Sequence, residues 1–171
     1  MIIEILSHTP RWIFALFFGL IYLGFQQSKV RSVTVKRLVI LPVAMAALSL
    51  SGVWTTFGSG TLALACWTGA MVAGIALAQL LGSAKNVSYS AETQTFKLPG
   101  TWLPLFLMMA IFFTKYAVGI SVAQNPGLLE ISGFVGIASA VYGFWSGIFF
   151  GRMVSILNVH GKQAFAQTLS A

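Results

Sequence analysis

Aspartate is absent from this chain, and three glutamates, Glu4, Glu92 and Glu130, supply all of its side-chain negative charge. Acid–base catalysis draws mainly on histidines and carboxylates, so an enzyme of that kind would have almost nothing to use. Cysteine is nearly absent too. Cys66 stands alone inside an apolar run, which excludes a disulfide framework, a CxxC redox pair and a cysteine cluster for a metal. The sequence shows no Ser/His/Asp set and no phosphate-binding glycine loop, and no catalytic residue, metal or cofactor is expected. Charge of either sign is scarce: 8% of residues are charged and 57% are hydrophobic. A soluble domain carries about a quarter charged residues to hydrate its surface, so water is not the solvent of this chain.

The net charge of +7 and the pI near 10.0 raise the question of nucleic acid. That partner needs basic residues gathered on one face with aromatics between them. Here the basic residues sit in the gaps between apolar runs, so no nucleic-acid partner is expected. Five such runs are each about long enough for a hydrocarbon core of roughly 30 Å, which takes about 17 to 25 helical residues. They are Pro10 to Gln26, Leu38 to Phe57, Leu62 to Gly82, Trp102 to Val122 and Ile131 to Gly151. Thr9 reads as an N-cap with Pro10 at the first helical position, and Gly100-Thr101 as the cap before Trp102 and Pro104. None of the runs alternates with period two as a barrel strand would, so helices satisfy the backbone. The expected fold is an all-α integral membrane protein, a single domain over 1–171 made of five transmembrane helices. The first run is read as a retained helix and not as a removed signal peptide, since no small-residue cleavage site follows it.

Lysine and arginine favour the cytoplasmic side. Lys29, Arg31, Lys36 and Arg37 lie between the first two helices, Lys85 and Lys97 between the third and fourth, and Arg152 and Lys162 after the fifth. Only Arg11 flanks the other side, so the N-terminus is expected outside and the C-terminus in the cytoplasm. The first basic loop is read as setting this orientation and touching anionic lipid headgroups. Trp12, Trp54 and Trp102 fall near span ends, as an aromatic belt requires. Between Ser83 and Thr101 the composition turns polar, with Val87, Tyr89 and Ala91 alternating, and a small cytoplasmic β-hairpin turning near Glu92 is expected. A hairpin of that size is marginal alone and must lean on helix ends or headgroups.

Lys115 is the only ionisable residue deep within a predicted span, about 10 Å from the outer end of its helix. It is a candidate for lining an anion path, with snorkelling or pairing with Glu130 as the structural alternative. In the last helix Ser139, Gly143, Gly147 and Gly151 recur at four-residue spacing, and Ala70, Gly74 and Ala78 make a similar row in the third. Such rows allow close backbone approach, either between these two helices or between copies of the chain. His8 and His160 are placed on opposite sides, so they share no metal; His8 reads as a helix-start residue.

The opening Ile5-Leu6-Ser7-His8-Thr9-Pro10-Arg11-Trp12-Ile13-Phe14-Ala15-Leu16, the stretch Leu41-Pro42 through Leu48-Ser49, and Leu98-Pro99-Gly100-Thr101-Trp102-Leu103-Pro104-Leu105 through Lys115-Tyr116 resemble a family of small, uncharacterised bacterial multi-pass inner-membrane proteins. The resemblance implies that membrane and brings no activity or functional residue. Two functional classes follow. One is a non-catalytic assembly or accessory protein that docks through small-residue faces on itself or on another membrane protein. The other is a small permeation or transport protein for an anionic or amphiphilic solute, using Lys115.

Overall fold

Each apolar run forms a helix in the computed structural model, which describes residues 11–82, 87–90 and 95–169, with side chains between 13 and 158. The helices are α1 (Arg11–Gln27), α2 (Val35–Phe57), α3 (Thr61–Leu80), α4 (Leu103–Gln124) and α5 (Ser132–Leu169). Four of them contain an apolar stretch long enough to cross a membrane, and α1 is shorter. Chain geometry sets two of the ends. Gly58 ends α2 with φ at 69°, donating its N–H to the Trp54 carbonyl, and Gly82 follows α3 with φ at 60°; glycine adopts such angles without steric cost.

Two boundaries differ from expectation. The last helix does not stop at Gly151 but runs on to Leu169. Arg152 looked like the first residue beyond a span, yet its guanidinium reaches a polar partner from within the helix. Thr101 does not cap α4: Trp102 is the N-cap residue, with no side-chain cap bond, and the Thr101 hydroxyl is engaged by Arg152. The expected cap at Thr9 and Pro10 lies outside the described residues, as does the expected turn near Glu92.

Helix α5 is the centre of the bundle. It packs on α2, α3 and α4, while α1 lies against α4. One apolar core joins Leu20, Met45, Met108, Ile111 and Phe149, and a second joins Val53, Ala63, Val118 and Tyr142 toward the end where α2 meets α3. The opposite end carries a three-stranded antiparallel sheet in the order β1 (Arg31–Thr34), β3 (Thr95–Leu98), β2 (Ser88–Ser90). Arg31 pairs with Leu98 and Thr34 with Thr95; Ser88 pairs with Lys97 and Ser90 with Thr95. The strand from the first basic loop was not expected. Its four residues gain strand geometry by pairing with β3, a distant segment. The sheet is anchored where Val33, Phe96 and Leu98 bury themselves with Ile156 of α5. On the soluble scale each such burial stabilises by about 1.5–3 kcal/mol, which offsets the marginal stability of so small a sheet.

Candidate functional site

The sheet end of the bundle contains a cleft of about 40 Å³, on the order of three water molecules. Gly100 helps to shape it. A Cβ there would run into the backbone of Ser28, so the α1 exit and the β3–α4 junction lie against each other, and the Thr101 N–H reaches the Gln27 carbonyl at 3.3 Å. Three arginines from separate segments converge on this cleft: Arg31 from β1, Arg37 from the first turn of α2 and Arg152 from α5. Two are held by neutral acceptors. Arg31 donates to Gln27 Oε1 at 3.0 Å, and Arg152 donates to Thr101 Oγ1 at 2.8 Å. A guanidinium has five N–H donors, so each keeps others for a further acceptor. Among the described residues no carboxylate lines the cleft. Burial pushes the Arg31 guanidinium below its ordinary value, as desolvation of a cation does. The far wall is apolar and is built by Leu38, Leu41, Pro42, Phe149 and Met153.

Of the four basic residues assigned to headgroups from sequence, Arg31 and Arg37 line this cleft. Lys29 instead sits 5.2 Å from the centre of the Phe25 ring, a cation–π contact, and Lys36 is exposed and outside the cleft. Sequence reasoning missed Arg152, Gln27 and Thr101 as partners. They come from the end of α1, the entry to α4 and the interior of α5, and no local pattern joins them.

Lys115 points into the bundle. A Cβ built on Gly52 would lie 3.7 Å from Lys115 Cδ and 3.6 Å from Tyr142 Cζ, so the missing side chain of Gly52 makes room for both. Glu130 lies in the exposed 3-10 turn Pro126–Glu130, and no ion pair joins it to Lys115 among the described residues. Within the apolar core that holds Tyr142, serine hydroxyls gather at its backbone carbonyl. Ser49 Oγ donates to the Tyr142 carbonyl at 3.0 Å and accepts from Trp67 Nε1 at 3.0 Å, tying α2, α3 and α5 together. Ser146 Oγ donates to the same carbonyl at 2.9 Å. The two interhelical bonds made by Ser49 contribute about 0.6–1.7 kcal/mol each. The Tyr142 hydroxyl and the Ser139 hydroxyl are buried with no partner among the described residues, and buried orphans of this sort call for an explanation such as bound water or an ion.

The small-residue rows of α3 and α5 face each other within the chain. A Cβ on Gly143 would strike the carbonyl of Trp67, one on Gly147 the carbonyl of Met71, and one on Gly151 would lie 2.9 Å from the carbonyl of Ile75. Residue numbers rise together along both helices, so α3 and α5 run parallel with their backbones in contact. From the other side, a Cβ on Gly74 would lie 2.5 Å from the Phe144 carbonyl, and Ala78 Cβ meets the place a Gly151 Cβ would take. Ala70 is half-buried and Ser139 fully buried. Below the glycines, Gln79 donates to the Gly151 carbonyl and accepts from Ser155, which extends the seam in polar form. The α5 row is therefore occupied by α3.

Cys66 is half-buried, and its sulfur lies 3.6 Å from where a Gly136 Cβ would stand, a packing position. Among the described residues no group of three or more His, Cys, Asp or Glu gathers in a way that could hold a metal; His8 lies outside the described residues. Residues 1–167 match a family of unknown function, DUF6622. No curated protein and no solved structure matches the chain.

Proposed function

We propose that this chain, which belongs to the DUF6622 family of unknown function, crosses a bacterial inner membrane five times, N-terminus outside and C-terminus in the cytoplasm, and serves there as a non-catalytic accessory protein that docks on another transmembrane helix. Charge supports the orientation. Apart from Lys115, the basic residues with described side chains (Lys29, Arg31, Lys36, Arg37, Lys97 and Arg152) stand at the sheet end, and the positive-inside rule makes that end cytoplasmic. Helix α1, with 17 residues, spans about 25 Å, enough for a fifth crossing once its neighbours thin the local bilayer slightly. Cysteines introduced at Ser32 and Ser90 should be labelled only by reagents that reach the cytoplasm. Labelling of either from outside contradicts the five-pass reading.

The observation that supports docking is the second face of α3. This helix is held almost entirely by α5, and on its outward side Ala65, Gly69 and Ala73 repeat at four-residue spacing, all exposed, with open space beside Gly69. Lipid tails need no such row, whereas a helix packing backbone to backbone does. The occupant is a second copy or a different membrane protein. Gly69→Leu should remove any defined higher-order species in mild detergent while leaving monomer stability within about 0.5 kcal/mol, the usual range for an exposed site. An assembly that survives this substitution unchanged removes the face from consideration.

A second reading, permeation of a small anion, draws support from the inward Lys115 beside the unpartnered Tyr142 hydroxyl. Intramembrane cations that face a bundle interior commonly mark ion or substrate paths.

A further inference from the structure

We propose that the cleft between Arg31, Arg37 and Arg152 binds the phosphate of an anionic phospholipid, with an acyl chain leaving along the apolar wall of α2 and α5. The proposal begins from charge. Three arginines line one cleft without a carboxylate among the described residues, and Glu130 stands at the other end of the bundle. The charges of Arg31 and Arg152 oppose each other, and an anion held in the cleft would offset that repulsion. Geometry then selects the anion. Gln27 and Thr101 each take one N–H of a guanidinium, which leaves further donors on both arginines, and arginine forks match phosphate in a bidentate way that lysine cannot. The cleft volume suits a group the size of phosphate.

The apolar wall separates a lipid from a soluble anion. Leu38, Leu41 and Pro42 on one side and Phe149 on the other continue from the arginines toward the middle of the helices, and Met153 closes the wall on the sheet side. A free phosphate has no use for that surface, whereas a phospholipid presents charge and hydrocarbon in this order. The site also lies at the level of the headgroups, where the cytoplasmic leaflet is rich in anionic lipid. The leaflet rests on the orientation proposed above. Binding in detergent does not, so failure of either is separately visible.

The test uses the full chain in mild detergent, with bound lipid counted by native mass spectrometry and the unfolding midpoint followed as phosphatidylglycerol, phosphatidylcholine or inorganic phosphate is added. Arg37→Gln is the primary variant, because Arg37 makes no hydrogen bond or ion pair among the described residues. Lys36→Gln and Lys97→Gln, at the same end but outside the cleft, are the controls. Phosphatidylglycerol should bind saturably and raise the midpoint. Arg37→Gln should weaken that binding about tenfold or more, as loss of a charge-assisted hydrogen bond does, with the controls shifted less than about twofold. Equal weakening by a control would mean diffuse attraction to a basic surface. Equal binding of phosphatidylcholine would mean an apolar groove with no phosphate recognition by charge. Displacement of the lipid by inorganic phosphate, with the same rise in midpoint, would make this a soluble-anion site. Each of the three overturns the proposal.

Discussion

Replacing Gly147 with leucine should lower the stability of the monomer by about 3 kcal/mol or more, which for a chain of this size is roughly a 10 °C fall in unfolding midpoint. Overpacking typically costs about 1–3 kcal/mol because a flexible neighbour gives way. Here nothing flexible is available: the added Cβ would meet the Met71 carbonyl and lie 2.9 Å from Met71 Cα, both part of a helix backbone. The helices must separate, and the neighbouring contacts at Gly143 and Gly151 go with them. Gly69→Leu on the outward face of the same α3 is the matched control, since it enters open space. Equal midpoints for the two variants would show that the α3–α5 seam does not form. The loss concerns the folded chain itself, so it should persist at dilutions where any assembly has dissociated.

Removing the charge of Lys115 should separate the two functional readings. Methionine keeps most of the stem volume beside Gly52 and Tyr142, and no ion pair to Glu130 exists among the described residues, so the substitution strands no carboxylate there. An ammonium at mid-helix costs about 2.5–3.5 kcal/mol on insertion scales, more than exposed positions do. Lys115→Met should therefore leave the protein as stable or more stable, by up to a few kcal/mol, and in the accessory reading its assembly is unchanged. In the permeation reading the same variant folds, yet anion flux in reconstituted vesicles falls to the level of empty vesicles, and Lys115→Arg retains part of it. If vesicles holding the unmodified chain pass chloride, phosphate and small carboxylates no faster than empty ones, the permeation reading fails. If Lys115→Met instead destabilises the chain, the lysine has a structural partner that neither reading includes.

The helices were legible because their signal is local: an apolar run of about 20 residues has only one way to satisfy its backbone without water. The four-residue spacing of Gly143, Gly147 and Gly151 was legible for the same reason. It named a close-packing face and left open whether α3 or a second copy filled it. Which residues meet depends on the relative sliding of two helices, and neither sequence row encodes that alone. Strand β1 was missed because two alternating positions, Ser32 and Val33, are too few to signal a period, and its geometry comes from pairing with β3. Arg152 was read as the end of a span because a charge usually marks one. The polar partner that lets the helix continue, Thr101, is contributed by the entry to α4. The arginine cleft was half legible for that reason: the basic loop supplied Arg31 and Arg37, and the third cation came from the far end of the chain.

The parallel seam between α3 and α5 has a consequence for how the chain is made. In the five-pass reading proposed above, two parallel spans cannot be neighbours in sequence, so α4 must be threaded back across the bilayer before α5 can be delivered alongside α3. Until then α3, which leans on little besides α5, waits in the membrane with both of its small-residue faces bare. On that reading the chain passes, during synthesis, through an interval in which its third span is inserted before the helix that holds it.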